Sequence, residues 1–128
     1  MVSLEGIILA IHESGEDYLE QILIQQAQNG YARSIDIAAA LNVTKASVSI
    51  AMKTLRERGY ITMGEGSHIL LTDEGRVIAE RIYDRHRKLT AFLVSLGVSE
   101  TAAREDACKM EHDISEETFM AMCARLGE

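Results

Sequence analysis

Between Arg33 and Thr72 the chain changes its hydrophobic period, and that change restricts its fold more than any other feature. Ser34 can cap a short helix through Leu41, because a hydroxyl there can accept from a free N–H of the first turn. A turn at Asn42-Val43 follows. Thr44 can cap a second helix running to about Arg58, and Gly59 closes it. In "YITMGEGSHILLT" two short runs rich in Ile, Leu, Tyr and Thr flank Gly64-Glu65-Gly66, the signature of a β-hairpin. A short helix, a tight turn, a second helix and a hairpin, in that order, make a winged helix-turn-helix.

Helical signals surround this core motif. "EDYLEQILIQQAQNG" carries Leu19, Ile22, Leu23 and Ala27 at helical spacing and ends at Asn29-Gly30, a usual helix stop. Thr72 followed by Asp73 and Glu74 starts a long helix to about Leu96, since acids in the first turn complement the helix dipole. Gly97 stops it, Ser99 can cap another helix, and Ser115 before Glu116-Glu117 caps the last. The absence of Pro and Trp agrees with a mostly helical chain. The expected fold is mainly α. Residues 1–72 form an N-terminal winged helix-turn-helix with a short β-hairpin wing, and residues 73–128 form a helical domain. The long amphipathic helices of that second part carry more apolar surface than the small head can cover, so a homodimer is expected to bury the excess.

A length of 128 residues suits one respectable core and excludes two large domains. No apolar run approaches the roughly 18 residues needed to cross a bilayer, so no membrane partner is expected. The N-terminus has an acidic start and lacks a small-residue cleavage site, so the chain reads as cytoplasmic and Cys108 and Cys123 as reduced thiols.

The net charge of -7 argues at face value against nucleic acid, but its distribution does not. Residues 31–62 carry five basic and two acidic residues, whereas residues 1–30 carry five acids and no Lys or Arg, and residues 98–128 eight acids against three bases. One basic window therefore lies between two acidic ones. It coincides with "TKASVSIAMKTLRERG", the helix that a helix-turn-helix lays in the major groove. Val48, Met52 and Leu55 can face the core. Thr44, Lys45, Ser47 and Ser49 stay small or polar near its start, and Arg33, Lys53 and Arg56 add charge for double-stranded operator DNA.

The acidic flanks hold a second constellation. In "DACKMEHDIS", Cys108, Glu111 and His112 fall at i, i+3, i+4, so one helix face presents a thiol, a carboxylate and an imidazole. Three groups from one helix leave a divalent ion under-coordinated, and further candidates exist. Asp17 and Glu20 lie at i, i+3 on the first helix, in a segment with no basic residue to neutralise them. His86 falls on the apolar stripe of Ile78, Ile82, Leu89, Leu93 and Leu96. Singly, these would be a solvated acidic face and a core histidine; together they suggest metal ligands. Cys123, beside Met120, Met122 and Leu126, reads as core filling, and His12 and His68 as structural or exposed.

Through "EDYLEQIL", "YARSIDIAAALNVTKASVSIAMKTLRERGYI", "LTDEGRVIAERIYDRHRKLTAFL" and "ACKMEHDIS", the chain resembles the diphtheria-toxin-repressor family of metal-dependent transcriptional regulators, in its manganese-transport-regulator branch, over roughly residues 15 to 127. The resemblance implies a repressor of metal-ion homeostasis, a homodimer whose operator binding is activated by one or two divalent cations. It implies Asp17, Glu20, His86, Cys108, Glu111 and His112 as the ligands. Asp17 matches the manganese branch, where the iron-responsive branch has Met, whereas Cys108 matches the iron-responsive branch, where the manganese regulator has Glu. Thr90 and Arg104 stand where the iron branch places a Glu and a His of an ancillary site. The SH3-like third domain of longer members is expected to be missing, because the sequence ends after the last helix of the dimerisation domain.

Carboxylates and imidazole accept Mn(II) or Fe(II), while a thiolate admits Zn(II) as well; two acids on the first helix tilt the expectation to Mn(II). No organic cofactor is expected. The alternative is a winged-helix regulator answering an organic effector, like the multiple-antibiotic-resistance regulators. An enzyme with Cys108 as nucleophile and His112 as base is disfavoured, because no Gly-rich turn or oxyanion hole accompanies the thiol. No catalytic residue is assigned.

Overall fold

The protein is described here by a computed structural model covering residues 4–126, with side chains from residue 15 onward; His12 lies outside the described side chains. Among the described residues there are six α-helices, α1 (Leu4–Asn29), α2 (Ser34–Leu41), α3 (Lys45–Glu57), α4 (Asp73–Ser95), α5 (Glu100–Asp113) and α6 (Glu116–Leu126). One antiparallel hairpin joins β1 (Ile61–Met63) to β2 (Ile69–Leu71). The chain divides into two compact units, residues 1–80 and 81–128, with the boundary inside α4.

In the first unit, Tyr18, Leu19 and Ile22 of α1 are buried with Ile37 and Ala38 of α2. Val48, Met52 and Leu55, at i, i+4, i+7 on α3, join them as the helical period requires. The axes of α2 and α3 differ by 117°, within the range of a helix-turn-helix. Asn42 makes that turn in the left-handed region at φ 54°, which its short polar side chain tolerates. Thr44 caps α3 as its position implies, its Oγ1 accepting from Ser47 N at 3.0 Å. Ser34, by contrast, is the first helical residue of α2 and not its cap. Arg33 holds the extended backbone of the cap, and its carbonyl accepts from Asp36 N and Ile37 N at 3.1 Å each.

The wing pairs Ile61 with Leu71 and Met63 with Ile69, so Ile61 and Ile69 point inward and are fully buried. It is fastened from outside the hairpin: Ile69 N donates to Ala32 O at 2.8 Å, and Gln26 Nε2 of α1 donates to Ile69 O at 3.1 Å. Thr72 joins the wing to α4, donating to Gly59 O at 2.7 Å and accepting from Gly75 N at 3.1 Å. Gly75 is obligatory there, since a Cβ would stand 2.0 Å from Tyr60 O.

In the second unit, Leu89 of α4, Ala107 of α5 and Phe119 of α6 form a small core, packed by Leu93, Met110, Ile114, Met122 and Cys123. Cys123 thus fills core, as its Met-rich surroundings suggested. Ser99 and Ser115 cap α5 and α6, accepting from Ala102 N at 3.3 Å and Thr118 N at 3.1 Å. Leu96 departs from the apolar stripe: α4 ends at Ser95, Gly97 turns away at φ 102°, and Leu96 is left 64% exposed. Among the described residues Leu89 is the one large side chain of this unit with under 2% exposure, so its apolar core alone is modest. No single helix among the described residues is long and apolar enough to cross a membrane.

Candidate nucleic-acid interface and metal centre

The exposed side of α3 borders a groove of about 560 Å³, whose other wall includes Ser34 and Ile35 of α2 and Met63 of the wing. Lys45, Ser49, Lys53 and Arg56 line it, so four of the candidate DNA residues share one concave, positively charged surface. Thr44 and Ser47 stand apart from it. Thr44 Oγ1 donates to Ser47 Oγ at 2.9 Å while accepting Ser47 N, so both hydroxyls are engaged in the cap, with acceptor capacity left at Ser47. Arg33 lies outside the groove too, its guanidinium 4.8 Å over the ring of Tyr31, which stacks on His68 with centroids 4.9 Å apart.

Pattern reading of the sequence passed over the apolar part of this surface. Ile50 is 69% exposed, and Ile35 and Met63 are exposed in the same groove. A large apolar side chain held in water on a reading helix is suited to the thymine methyl group. The signal was available: Ile50 follows the buried Val48 by two residues, which turns it away from the core on a helix. A second cavity along α3, of about 590 Å³, takes Ser47, Ile50, Thr54 and Leu55 from that helix and Arg58 just past its end, beside core residues such as Leu19. It contains none of the candidate metal ligands, and its lining is mostly apolar, so size alone does not make it the site of the chemistry.

Each unit holds part of the candidate metal set. In the first, Asp17 and Glu20 both lie on α1; Glu20 is buried, and a carboxylate is stable in that position only with a partner. Burial, and secondarily the Asp17 carboxylate, raise the Tyr18 hydroxyl above its ordinary pKa. In the second unit the donors converge on Glu111, whose side chain is fully shielded from solvent. Cys108 Sγ and a ring nitrogen of His86 each come within 4.8 Å of a Glu111 carboxylate oxygen. His112 Nε2 is 3.5 Å from Glu111 Oε1. A second contact orients His86: its Nε2 lies 3.1 Å from Arg104 O. A carbonyl can only accept, so Nε2 carries the proton and Nδ1 keeps the lone pair a cation needs. A thiol and two imidazoles gathered around one buried carboxylate fit a divalent transition metal, and this mixed set suits a range of such ions.

Two family models match the chain. Residues 10–69 match the iron dependent repressor N-terminal DNA binding domain, and residues 72–128 the iron dependent repressor metal binding and dimerisation domain. The transcriptional regulator MntR of Salmonella typhimurium is 39% identical over 109 residues, covering 85% of this chain and 69% of the relative. Among solved structures, T. acidophilum IdeR superposes with a TM-score of 0.80 at 30% identity, covering 88% of this chain and 54% of that one. A manganese-dependent transcriptional repressor in complex with manganese superposes with a TM-score of 0.76 at 30% identity, covering 88% and 52%. The chain spans about half the length of these solved structures.

Proposed function

Because the chain belongs to the iron-dependent repressor family, we propose that it is a metal-dependent, DNA-binding transcriptional repressor of metal-ion homeostasis, cytoplasmic and homodimeric, activated for operator binding by Mn(II) or Fe(II). The observation that carries the metal reading is the buried Glu111 carboxylate with the Cys108 thiol and the His86 imidazole within 4.8 Å of it. Asp17, Glu20 and His112 are the further donors of this reading, on their residue types and spacing. Cys108 adds one soft donor, which admits Fe(II) and Zn(II) beside Mn(II).

A bound divalent cation supplies positive charge to carboxylates that otherwise repel one another and any nearby phosphate. The protein's own residues do the rest. His86 presents Nδ1 because Arg104 O holds its other nitrogen. Lys45, Lys53 and Arg56 meet phosphates, and Ser49 and Ile50 meet base edges from the start of α3. Two copies related by two-fold symmetry place two such helices, so the operator is approximately palindromic. Metal and DNA binding are coupled through the fixed separation of the two reading heads.

Operator binding titrated with Mn(II), Fe(II) and Zn(II), against a chelator, tests this reading. Retardation that requires metal and is reversed by chelation is expected. Equal binding in chelator overturns it in favour of a winged-helix regulator that answers an organic effector.

A further inference from the structure

We propose that Arg85 is the positioning residue of the metal centre, holding the α5 segment that carries Cys108, Glu111 and His112 in register with His86; this rests on the metal reading above. Arg85 precedes His86 on α4, yet its side chain is only 12% exposed. Its guanidinium makes three kinds of contact at once. Nη2 donates to the backbone carbonyl of Glu111 at 3.0 Å, Nη1 bonds Glu116 Oε2 at 2.7 Å, and Cζ stands 4.5 Å over the ring of Phe119, a buried member of the small core.

The carbonyl it chooses matters. Glu111 lies in the last turn of α5, which ends at Asp113, and the final carbonyls of a helix have no partner within it. A guanidinium there satisfies one of them and meets the negative end of the helix dipole. Glu116 is the first residue of α6, so the same group fastens the start of the next helix and with it the turn between. Arg85 is thus a staple from α4 to both sides of the α5–α6 junction.

Its neighbour completes the geometry. His86 Nε2 bonds Arg104 O while Arg85 Nη2 bonds Glu111 O. Those carbonyls are seven residues apart, two turns or about 10.5 Å along α5, and so lie on nearly one face. Cys108 falls between them, four residues after Arg104 and three before Glu111. Consecutive residues of α4 therefore clamp the two ends of the helix segment that carries the thiol and the carboxylate. Sliding or rotating α5 against α4 breaks one of the two bonds, and that restraint keeps His86 of α4 within reach of the Glu111 carboxylate, which Cys108 accompanies three residues earlier on α5 itself. With a modest apolar core in this unit, the restraint falls to polar contacts of this kind.

The test uses the full chain and three variants. Arg85→Met keeps an unbranched apolar stem over Phe119 and removes both bonds; Arg85→Lys keeps the charge with a single donor head; Glu116→Gln removes the exposed ion pair and leaves the Glu111 carbonyl bond. Mn(II) affinity, the Co(II) absorption spectrum including its thiolate charge-transfer band, and the metal-free Tm are measured for each. A loss of metal affinity of about tenfold or more is expected for Arg85→Met, as for other groups that orient ligands from behind. The Co(II) band should shift, and Arg85→Lys should recover part of both. Glu116→Gln should stay within about twofold of wild type. Wild-type affinity and spectrum in Arg85→Met overturn the inference, as does a Tm loss with metal affinity unaltered, which is the signature of a merely structural arginine. If Arg85→Met does not fold without metal, Arg85→Lys decides: wild-type affinity and spectrum overturn the inference, and intermediate values support it. A wild-type chain that binds neither Mn(II) nor Co(II) fails the metal reading itself, a result distinct from all of these.

Discussion

Replacing Lys53 by Ala tests whether the groove along α3 lies against DNA, because Lys53 and Arg58 share that helix region but face different cavities. Lys53 lines the groove between α3 and the wing with Lys45 and Arg56, whereas Arg58 lines the other cavity beside Leu55 and Tyr60. Each lost phosphate contact changes the slope of log K against log[salt] by about 0.9. A dimer loses one contact in each reading head, so Lys53→Ala should flatten the slope by about 1.8. Between about 50 and about 200 mM salt, where log[salt] changes by about 0.6, wild-type affinity should fall about twelve-fold more than that of the variant. Arg58→Ala should leave the slope unchanged. Fluorescence anisotropy with a labelled operator at saturating Mn(II), across four or more salt concentrations, measures both. An unchanged slope for Lys53→Ala, or an equal flattening for Arg58→Ala, refutes the assignment of the groove.

Further outcomes follow from single contacts. Thr44→Ala removes the α3 cap and should cost about 1 kcal/mol in chemical denaturation, whereas Thr44→Ser should keep the cap and most of the stability. Ile50→Ser, at a site 69% exposed, should change stability by less than about 0.5 kcal/mol. It should nevertheless weaken discrimination for a thymine in the operator, read by comparing T with U at each position. Cys108→Glu should keep Mn(II) response and lower relative preference for Zn(II), measured by competition titration; a large fall in Tm with unchanged selectivity would mean the thiol is only a small buried hydrophobe. The raised Tyr18 pKa means that the folded chain holds this proton more tightly than the unfolded one. Its stabilising contribution is complete below pH 10.0 and is lost as pH rises through the folded value, so the alkaline fall in Tm should be smaller in Tyr18→Phe.

Local signals carried most of the fold. Thr44 and the Val48, Met52, Leu55 spacing are written within single turns of helix, and the hairpin within a dozen residues. What escaped depended on groups far apart in the chain. Ser34 lost the capping position because Arg33, one residue earlier, already adopts extended backbone with its carbonyl closing the first turn, and nothing in the residue types distinguishes the two. The wing's attachment through Ile69 N to Ala32 O joins an edge strand to a loop that has no periodicity to read. Leu96 fitted the apolar stripe by number alone; the stripe outlasted the helix by one residue, and the side chain turned into solvent.

The ligand candidates were legible because donor chemistry is written in residue type, whereas what orients them is not. In "YDRHRKLT" charged residues are packed so densely that every one of them resembles a solvated surface group. Arg87 and Lys88 are indeed exposed, and Lys88 merely pairs with Asp84 one turn away at 2.8 Å. Arg85 differs by position: it stands three residues after the buried Ile82 and four before the buried Leu89, on the inward stripe itself. An ionised side chain at such a position must find hydrogen-bond acceptors or cost several kcal/mol. The acceptors nearest to hand on a packed helix pair are the carbonyls at a helix end. Periodicity therefore does contain the clue, provided it is read for charged residues as well as apolar ones: a charge on the inward stripe beside a candidate ligand is placed to hold the facing helix that carries the other candidates.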